Sequence, residues 1–381
     1  MRILHITPYA HAFYGGPNTA VRMMARLAID SGFNVDVATI NTAGHGYPNL
    51  KDSAVEVEGG AFFHYFQSNY LPNWFFSKSM KCWLELNIKK YDVVHLHVPF
   101  TAPFMIGARL CQRFQVPYVV TLHGLMDPWC LKQKLWKKIP YLYILEKKNL
   151  QRASFLHTTS DMEADSFKSF NFGSKVITFP LAVAELSAPI FFKSRLSELK
   201  TASLLFLGRI HPVKALPNIF KAIRSLYERG QDVELNIAGD GDPSYVLALK
   251  KMAIKEGVED RIYWHGQVDV EGRDKLFAKV NIFVMASYHE NFGLAAAEAM
   301  ASGLPVVLSD QVGLAKDVIE FNAGLIVPCD DPEAIATSIQ GLMRAEKWLV
   351  HSRGAQDLVR NKYGIKTCAK SLLSMYQKAC I

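Results

Sequence analysis

Short apolar runs alternate with helical patterns along this chain, and the series starts over a little past its middle. RILHIT opens the first half, followed by a Gly-rich turn and NTAVRMMARLAIDSG, whose apolar residues recur at helical spacing up to Gly32. NVDVATI, YDVVHLHV, VPYVVTLHG, ASFLHTTS and KVITFP continue it, with FMIGARLCQRF as a crossover helix between the third and fourth runs. Strands separated by helices form parallel βαβ units, whose crossovers are right-handed. ASLLFLGRI begins the pattern afresh, and VELNIAGDG, RIYWHGQV, VNIFVMAS, LPVVLSD and AGLIVP supply five more strands. PNIFKAIRSLYERG, SYVLALKKMAIKEG and FGLAAAEAMASG lie between them as helices. The expected fold is α/β: two doubly wound, Rossmann-like domains over residues 1–182 and 200–365, joined between Pro180 and Ala202 where Pro, Ser and mixed charge interrupt the pattern.

A length of 381 residues suits two such cores rather than one. No apolar run reaches the ~18–20 residues a bilayer-spanning helix needs, and MRILHITPYA reads as a buried strand rather than a secretory signal. Cys82, Cys111, Cys130, Cys329, Cys368 and Cys380 are scattered without the close pairs of a metal knuckle or disulfide framework. A cytoplasmic protein with reduced thiols is expected. The net charge of +8 is concentrated in KQKLWKKIPYLYILEKKNLQR, residues 132–152, where Trp136, Tyr141 and Tyr143 sit among the cations. Such a stretch suits the surface of an anionic membrane; it equally suits a solvated helix face. Charge alone is a weak argument for nucleic acid, which is not expected as a partner.

Ligands of open parallel sheets bind beyond the carboxyl ends of the strands, so the residues just after each apolar run deserve the closest reading. Glu290-Asn291-Phe292-Gly293-Leu294 follows VNIFVMAS and leads into a helix carrying Glu298. Free amides at a helix start, with the positive end of its dipole, suit a diphosphate. Glu298, about two turns in, is placed for ribose hydroxyls and Glu290 for a second polyol, although a helix-capping Glu290 and a surface Glu298 fit the same pattern. Gly208-Arg209-Ile210-His211-Pro212-Val213-Lys214 ends another strand and delivers two cations that can neutralise a leaving diphosphate without a metal; ordinary exposed cations on a turn are the alternative. Gly15 and Gly16 sit in the first strand-to-helix loop, where glycine permits close backbone approach to a ligand. His123 closes VPYVVTLHG, and His97 and Asp127 occupy similar positions on what would be the acceptor side.

Together these motifs resemble glycosyltransferase family 4, retaining enzymes of the two-domain GT-B fold. The family's E-x-F-G-x-x-x-x-E signature appears as Glu290 through Glu298, and its G-R-hydrophobic-x-x-x-K-G motif as Gly208 to Lys214, with Ala215 where glycine is usual. The amino-terminal Gly-Gly loop and His123 match as well, so the resemblance runs the length of the chain. It implies that the two domains face each other across a cleft holding a sugar nucleotide as co-substrate, with no metal or other cofactor. Arg209 and Lys214 would bind its diphosphate, Glu298 its ribose, and backbone at Asn291, Phe292, Gly293 and Leu294 the phosphates and sugar hydroxyls. Glu290 and His123 would contact the transferred sugar, Val268 would present backbone to the base, and Gly15 and Gly16 would close over the diphosphate. Residues 366–381 would form a helix crossing back to the first domain. Leu181-Ala182 stands where the family often has Asn-Gly, which puts the shape of the joining loop in question.

The resemblance further implies a retaining, metal-independent hexosyltransferase. A UDP-hexose is the expected donor, with GDP-mannose next. A glycan or polyprenyl-linked acceptor of bacterial exopolysaccharide or lipopolysaccharide synthesis is the expected partner, with peripheral contact to the inner membrane face. No carboxylate nucleophile emerges, and Asp269-Val270-Glu271 is a poor D-x-D metal site. A sugar-nucleotide epimerase of the same architecture is the alternative activity, and a non-catalytic sugar-nucleotide-binding protein the alternative role.

Overall fold

In the computed structural model of the chain, residues 1–9, 15–41, 50–68, 74–125, 140–170, 172–173, 175–184 and 201–381 are described. They divide into two compact units, Met1–Ala182 with Ile365–Ile381, and Val183–Gly364.

The first unit is built on an eight-stranded sheet. Its strands are β1 (Arg2–Thr7), β2 (Asn34–Asn41), β3 (Ala54–Glu58), β4 (Ala61–Gln67), β5 (Val93–His97), β6 (Tyr118–Thr121), β7 (Phe155–Thr158) and β8 (Val176–Thr178). Their spatial order is β3-β4-β2-β1-β5-β6-β7-β8, parallel throughout except for the β3–β4 hairpin at one edge. That hairpin is absent from the sequence reading. AVEVE alternates, but β3 is an edge strand that leaves Val55 and Val57 exposed, so it lacks the continuous apolar run by which the inner strands stand out.

Alternation decides what each face of the inner strands buries. Leu4, Ile6, Val94, Leu96, Val120, Leu122 and Leu156 point to one side and pack with Phe104, Ala108 and Leu150 in an apolar core. His5, His95, His97, Thr121 and His157 occupy the alternate positions, and all are fully buried. The helix Ile365–Ala379 packs against the helix Gly16–Asp30 and lays Tyr376 on this polar side.

The second unit carries a six-stranded, fully parallel sheet ordered β11-β10-β9-β12-β13-β14. These strands are β9 (Thr201–Leu207), β10 (Asp232–Ala238), β11 (Ile262–Gly266), β12 (Ile282–Met285), β13 (Val306–Ser309) and β14 (Gly324–Val327). All six coincide with apolar runs read from the sequence. The helix Leu216–Glu228 covers one face with Leu216, Ile219, Phe220, Ile223 and Leu226, each fully buried.

The basic stretch at 132–152 departs from a simple solvated helix. Residues 132–139, Trp136 among them, lie outside the described residues, as do Cys130 and Asp127. Leu142–Glu146 forms a π-turn and Lys147–Gln151 a short helix. Leu142, Glu146, Asn149 and Leu150 are buried, which anchors one side of the segment, while Tyr143 and Ile144 remain exposed.

Candidate active site

Both sheets reverse strand order at an inner pair, β1 beside β5 and β9 beside β12. Loops leaving such a pair run to opposite sides and open a crevice at the carboxyl ends of the strands. Gly15, Gly16 and His97 lie at the first pair and Arg209, Lys214 and Glu290 at the second, while His123 follows β6 and Val268 follows β11.

In the second unit the turn after β9 is shaped by glycines that sequence reading passed over. A Cβ on Gly239 would lie 1.9 Å from the Gly208 carbonyl oxygen, and one on Gly241 would lie 2.1 Å from that of Ile210. Close backbone contact of this kind excludes any side chain. It lets Gly208 N–H donate to Ala238 O (3.0 Å) and Ile210 N–H to Asp240 O (2.8 Å), carrying the pairing past the strand ends. Arg209 projects from the turn and is exposed. Pro212–Lys214 follows as a single 3₁₀ turn capped by His211, whose Nδ1 accepts from Val213 N–H at 3.3 Å. The His211 pKa is lowered, by burial first and then by Arg209 and Lys214, so the local potential is positive. Ala215 adopts φ 51° and ψ 32°. This left-handed conformation explains why glycine is usual there, and alanine tolerates it at a cost of about 1 kcal/mol.

The loop after β12 docks onto that turn: Tyr288 N–H donates to Val213 O at 2.8 Å. Glu290 is fixed by its own backbone, which donates to Gln311 O (3.0 Å) and accepts from Gly313 N–H (2.9 Å). Its Oε2 meets the Nζ of Lys214 in a half-buried ion pair. Two motifs read separately from the sequence are thus one constellation. Glu290 does not cap the next helix; Gly293, at φ 97°, occupies the cap position of Leu294–Ala301, and no side chain caps it. The first amides of that helix therefore have no intrahelical partner. Phe292 is buried against Tyr363, with ring centroids 5.5 Å apart, and this anchors the loop.

Glu298 is one turn into the helix rather than two, because the helix begins at Leu294. It is mostly buried, and its Oε1 accepts from Arg273 Nη1 at 2.8 Å. Burial raises its pKa, Arg273 opposes the rise, and Asp274 adds to it. Arg273 was not singled out from the sequence, since nothing in VEGRDKLF distinguishes one cation from another. Val268 follows β11 and precedes the helix Val270–Lys279. Asp269 caps that helix, accepting from Gly272 N–H at 2.8 Å, and Glu271 pairs with Lys275 at 2.7 Å, so both acids have structural partners.

In the first unit, Gly15 caps the helix Gly16–Asp30 at φ 67° and ψ −138°. Among the described residues a Cβ there would meet nothing within 4 Å, so its need for glycine lies in the backbone angles. The loops after β5 and β6 are strained as well. Val98, Phe100 and His123 all have positive φ, at 59°, 70° and 54°, and for a β-branched residue such as Val98 that is a true outlier. β6 ends at Thr121, so His123 stands two residues beyond the strand. Glu163 holds its neighbour in place, accepting from Gly124 N–H (2.6 Å) and Thr159 N–H (2.8 Å). Ser160-x-x-Glu163 reads as a capping box in the sequence, but its carboxylate serves this loop.

His123 Nε2 lies 3.0 Å from His97 Nδ1, and His97 Nε2 lies 2.9 Å from His5 Nδ1. Burial lowers the pKa of His123 and His5 to about 3 and of His157 to about 4, and holds His95 and His97 well below the ordinary imidazole value. His123 is therefore neutral at physiological pH. It can accept or donate a hydrogen bond but carries no charge to a phosphate.

Two family models match the chain: "Glycosyltransferase Family 4" over residues 14–184, and "Glycosyl transferases group 1" over residues 188–357. The chain belongs to glycosyltransferase family 4. Among characterised and uncharacterised relatives, an uncharacterized glycosyltransferase of Methanocaldococcus jannaschii is 25% identical, covering 100% of this chain and 98% of its own length. A D-inositol 3-phosphate glycosyltransferase of Xylanimonas cellulosilytica is 25% identical over 76% of this chain and 72% of its own. Sucrose-phosphate synthase from Thermosynechococcus elongatus superimposes with a TM-score of 0.78 at 20% identity, covering 99% of this glycosyltransferase and 98% of that chain. Anabaena HepE, solved with UDP and glucose, gives 0.75 at 17% identity and 98% coverage of both chains. These likenesses show the GT-B fold. No described helix of this glycosyltransferase is long and apolar enough to cross a membrane.

Proposed function

We propose that this glycosyltransferase moves a hexose from a UDP-sugar to a glycan or polyprenyl-linked acceptor, with retention of anomeric configuration and without a metal. The observation that carries the reading is the joining of the two motifs after β9 and β12: Lys214 paired with Glu290, exposed Arg209 on the same turn, and an uncapped helix start at Gly293–Leu294. Two cations and free amides suit a diphosphate leaving group. Glu290 supplies a carboxylate to sugar hydroxyls beside it, and Glu298 one to ribose.

In the proposed step the acceptor oxygen attacks C1 from the face the diphosphate leaves. The C1–O bond to phosphate breaks as the new C1–O bond forms, and the acceptor's proton passes to the departing phosphate oxygen. Arg209 and Lys214 balance the charge that develops on that oxygen. Neutral His123 orients the sugar rather than attacking it. Solved relatives in complex with UDP and with UDP-glucose support a uridine donor.

The test is incubation with UDP-hexoses and a chelator in excess of any divalent ion, followed by NMR of the product's anomeric centre. Retention in the presence of chelator is the expected result; inversion or a strict metal requirement would remove the mechanism. A sugar nucleotide isomerised without acceptor would instead indicate the epimerase, which the family match does not favour. For a lipid-linked acceptor, the exposed Tyr143 and Ile144, with Lys147 Nζ 5.5 Å from the Tyr143 ring centroid, supply an amphipathic contact. Vesicles of anionic lipid should retain the protein at low salt, and failure to do so would remove the membrane contact from the proposal.

A further inference from the structure

Five histidines, a threonine and a tyrosine form an unbroken chain of hydrogen bonds through the buried polar side of the first sheet. It begins at the Phe179 carbonyl, 2.9 Å from His157 Nε2. His157 Nδ1 lies 2.9 Å from Thr121 Oγ1, and Thr121 Oγ1 lies 2.7 Å from His95 Nε2. His95 Nδ1 is 2.8 Å from the Tyr376 hydroxyl, which is 3.4 Å from His5 Nε2. His5 continues to His97 and His97 to His123, through the contacts of 2.9 and 3.0 Å described above.

A neutral imidazole has one N–H and one lone pair, and a hydroxyl has one hydrogen. A carbonyl only accepts, so His157 must carry its proton on Nε2. Its bare Nδ1 then accepts from Thr121, whose oxygen must accept from His95 Nε2–H. His95 Nδ1 accepts from Tyr376, and the tyrosine oxygen accepts from His5 Nε2–H. His5 Nδ1 accepts from His97 Nε2–H, and His97 Nδ1 accepts from His123 Nε2–H. One polarity satisfies every link, and reversing it sets two lone pairs against each other at the Phe179 carbonyl, with no proton between them. Charging a ring to escape this is disfavoured because His5, His95, His97 and His157 are fully buried and His123 is half-buried against them, and burial lowers the pKa of each.

We infer that this chain fixes the tautomer of His123, placing its proton on Nε2 and leaving Nδ1 bare to accept a hydrogen bond from a hydroxyl of the donor sugar. The inference rests on the reading of His123 as a sugar contact. His97, His5, Tyr376, His95, Thr121 and His157 are then positioning residues that act through His123. The Ile365–Ala379 helix supplies the one member from outside the sheet and its loops, so it sets a property of the site and does not merely cover the sheet.

His5, His95 and His97 also present ring nitrogens within 4.8 Å of one another, the arrangement a metal ion would need. Each of those nitrogens already has a place in the chain, and among the described residues no carboxylate joins them in that cluster to offset a buried dication.

The experiment is a long-range proton–nitrogen correlation on the full chain labelled with ¹⁵N-histidine, with His123 assigned by its loss in His123→Gln. A pattern of protonated Nε2 and bare Nδ1 at His123 is expected, and protonated Nδ1 would overturn the inference. Stoichiometric zinc or another metal in the purified protein would overturn it too, since a ligated nitrogen cannot serve the chain. Tyr376→Phe breaks the chain at its centre while keeping the ring. His123 should then show two exchanging tautomers, with kcat falling about tenfold and UDP affinity unchanged. A folded Tyr376→Phe protein with the wild-type His123 pattern would overturn the inference. These nitrogen signals are read without turnover, so they can fail while sugar transfer stands. Conversely, the expected tautomer in a protein that transfers no hexose would leave the chain intact and remove only the proposed function.

Discussion

The ammonium of Lys214 pairs with the carboxylate of Glu290, 76 residues further along the chain. The backbone bond from Tyr288 to Val213 brings the two loops together, so the pair depends on the fold of the whole second unit rather than on local sequence. Each group limits the other's freedom, and both are less than a quarter exposed. Lys214→Ala should lower the transfer rate by roughly 10²- to 10³-fold, the usual loss on removing one charge-stabilising group from a transition state. Glu290→Gln should lower it as well, and the double variant should lose less than the product of the two. Steady-state kinetics of the three variants checks this; fully multiplicative losses would show that the residues act independently.

Arg273 is the partner that opposes the rise burial imposes on the Glu298 pKa. Arg273→Ala should destabilise the second unit by about 1–2 kcal/mol, less than a fully buried pair because both side chains are about a fifth exposed. Adding Glu298→Gln should recover part of that loss, since the neutral amide needs no counter-charge. Urea unfolding of the single and double variants measures both terms. A double variant no more stable than Arg273→Ala would contradict the pairing.

Two glycines offer a contrast between steric and conformational cost. Gly239→Ala puts a Cβ 1.9 Å from the Gly208 carbonyl oxygen, so backbone must move and the turn bearing Arg209 must shift with it. A loss above about 3 kcal/mol is expected, together with loss of nucleotide binding. Gly15→Ala meets nothing within 4 Å among the described residues and has only its φ of 67° and ψ of −138° to accommodate, so about 1–3 kcal/mol is expected. Thermal unfolding separates them, and similar midpoints would refute the distinction.

How much of this was readable in advance follows from how local each feature is. The inner strands other than β4 were legible because parallel strands buried on both faces must be nearly continuous apolar runs. The motif at Glu290–Glu298 was legible because its residues share one loop and helix. β3 was missed because an edge strand with exposed valines has no such run. Gly239 and Gly241 were passed over within VELNIAGDG, since the contact that requires them is with the backbone of the turn after another strand. His97 and His123 were legible as strand-end positions, yet their linkage to His5, His95, His157 and Tyr376 depends on sheet order and on a helix about 280 residues away. Glu163 was not singled out, since only the fold shows that it holds Gly124.

The buried histidines make stability depend on pH in a definite direction. Their folded pKa values lie below the unfolded value near 6.5: about 3 for His5 and His123 and about 4 for His157, with His95 and His97 also lowered. Above pH 6.5 both states are neutral and these groups contribute no slope. As pH falls below 6.5 the unfolded chain takes up protons that the folded chain refuses, so stability falls, by up to about 1.4 kcal/mol per pH unit for each histidine. Urea midpoints should therefore drop steeply between pH 6.5 and 4, and replacing His5 by Gln should reduce the slope. A flat profile over that range would contradict the neutral chain.

The central claim is that the turn after β9 and the loop after β12 hold the diphosphate of a sugar nucleotide. Calorimetric titration of the purified protein with UDP, GDP and ADP, repeated on Arg209→Ala, tests it most directly. The account predicts that one nucleotide, UDP first, binds selectively, and that the substitution weakens it by tenfold or more while the unfolding midpoint stays unchanged. Binding that is equally tight in Arg209→Ala, or no binding of any of the three to the wild-type chain, would contradict it.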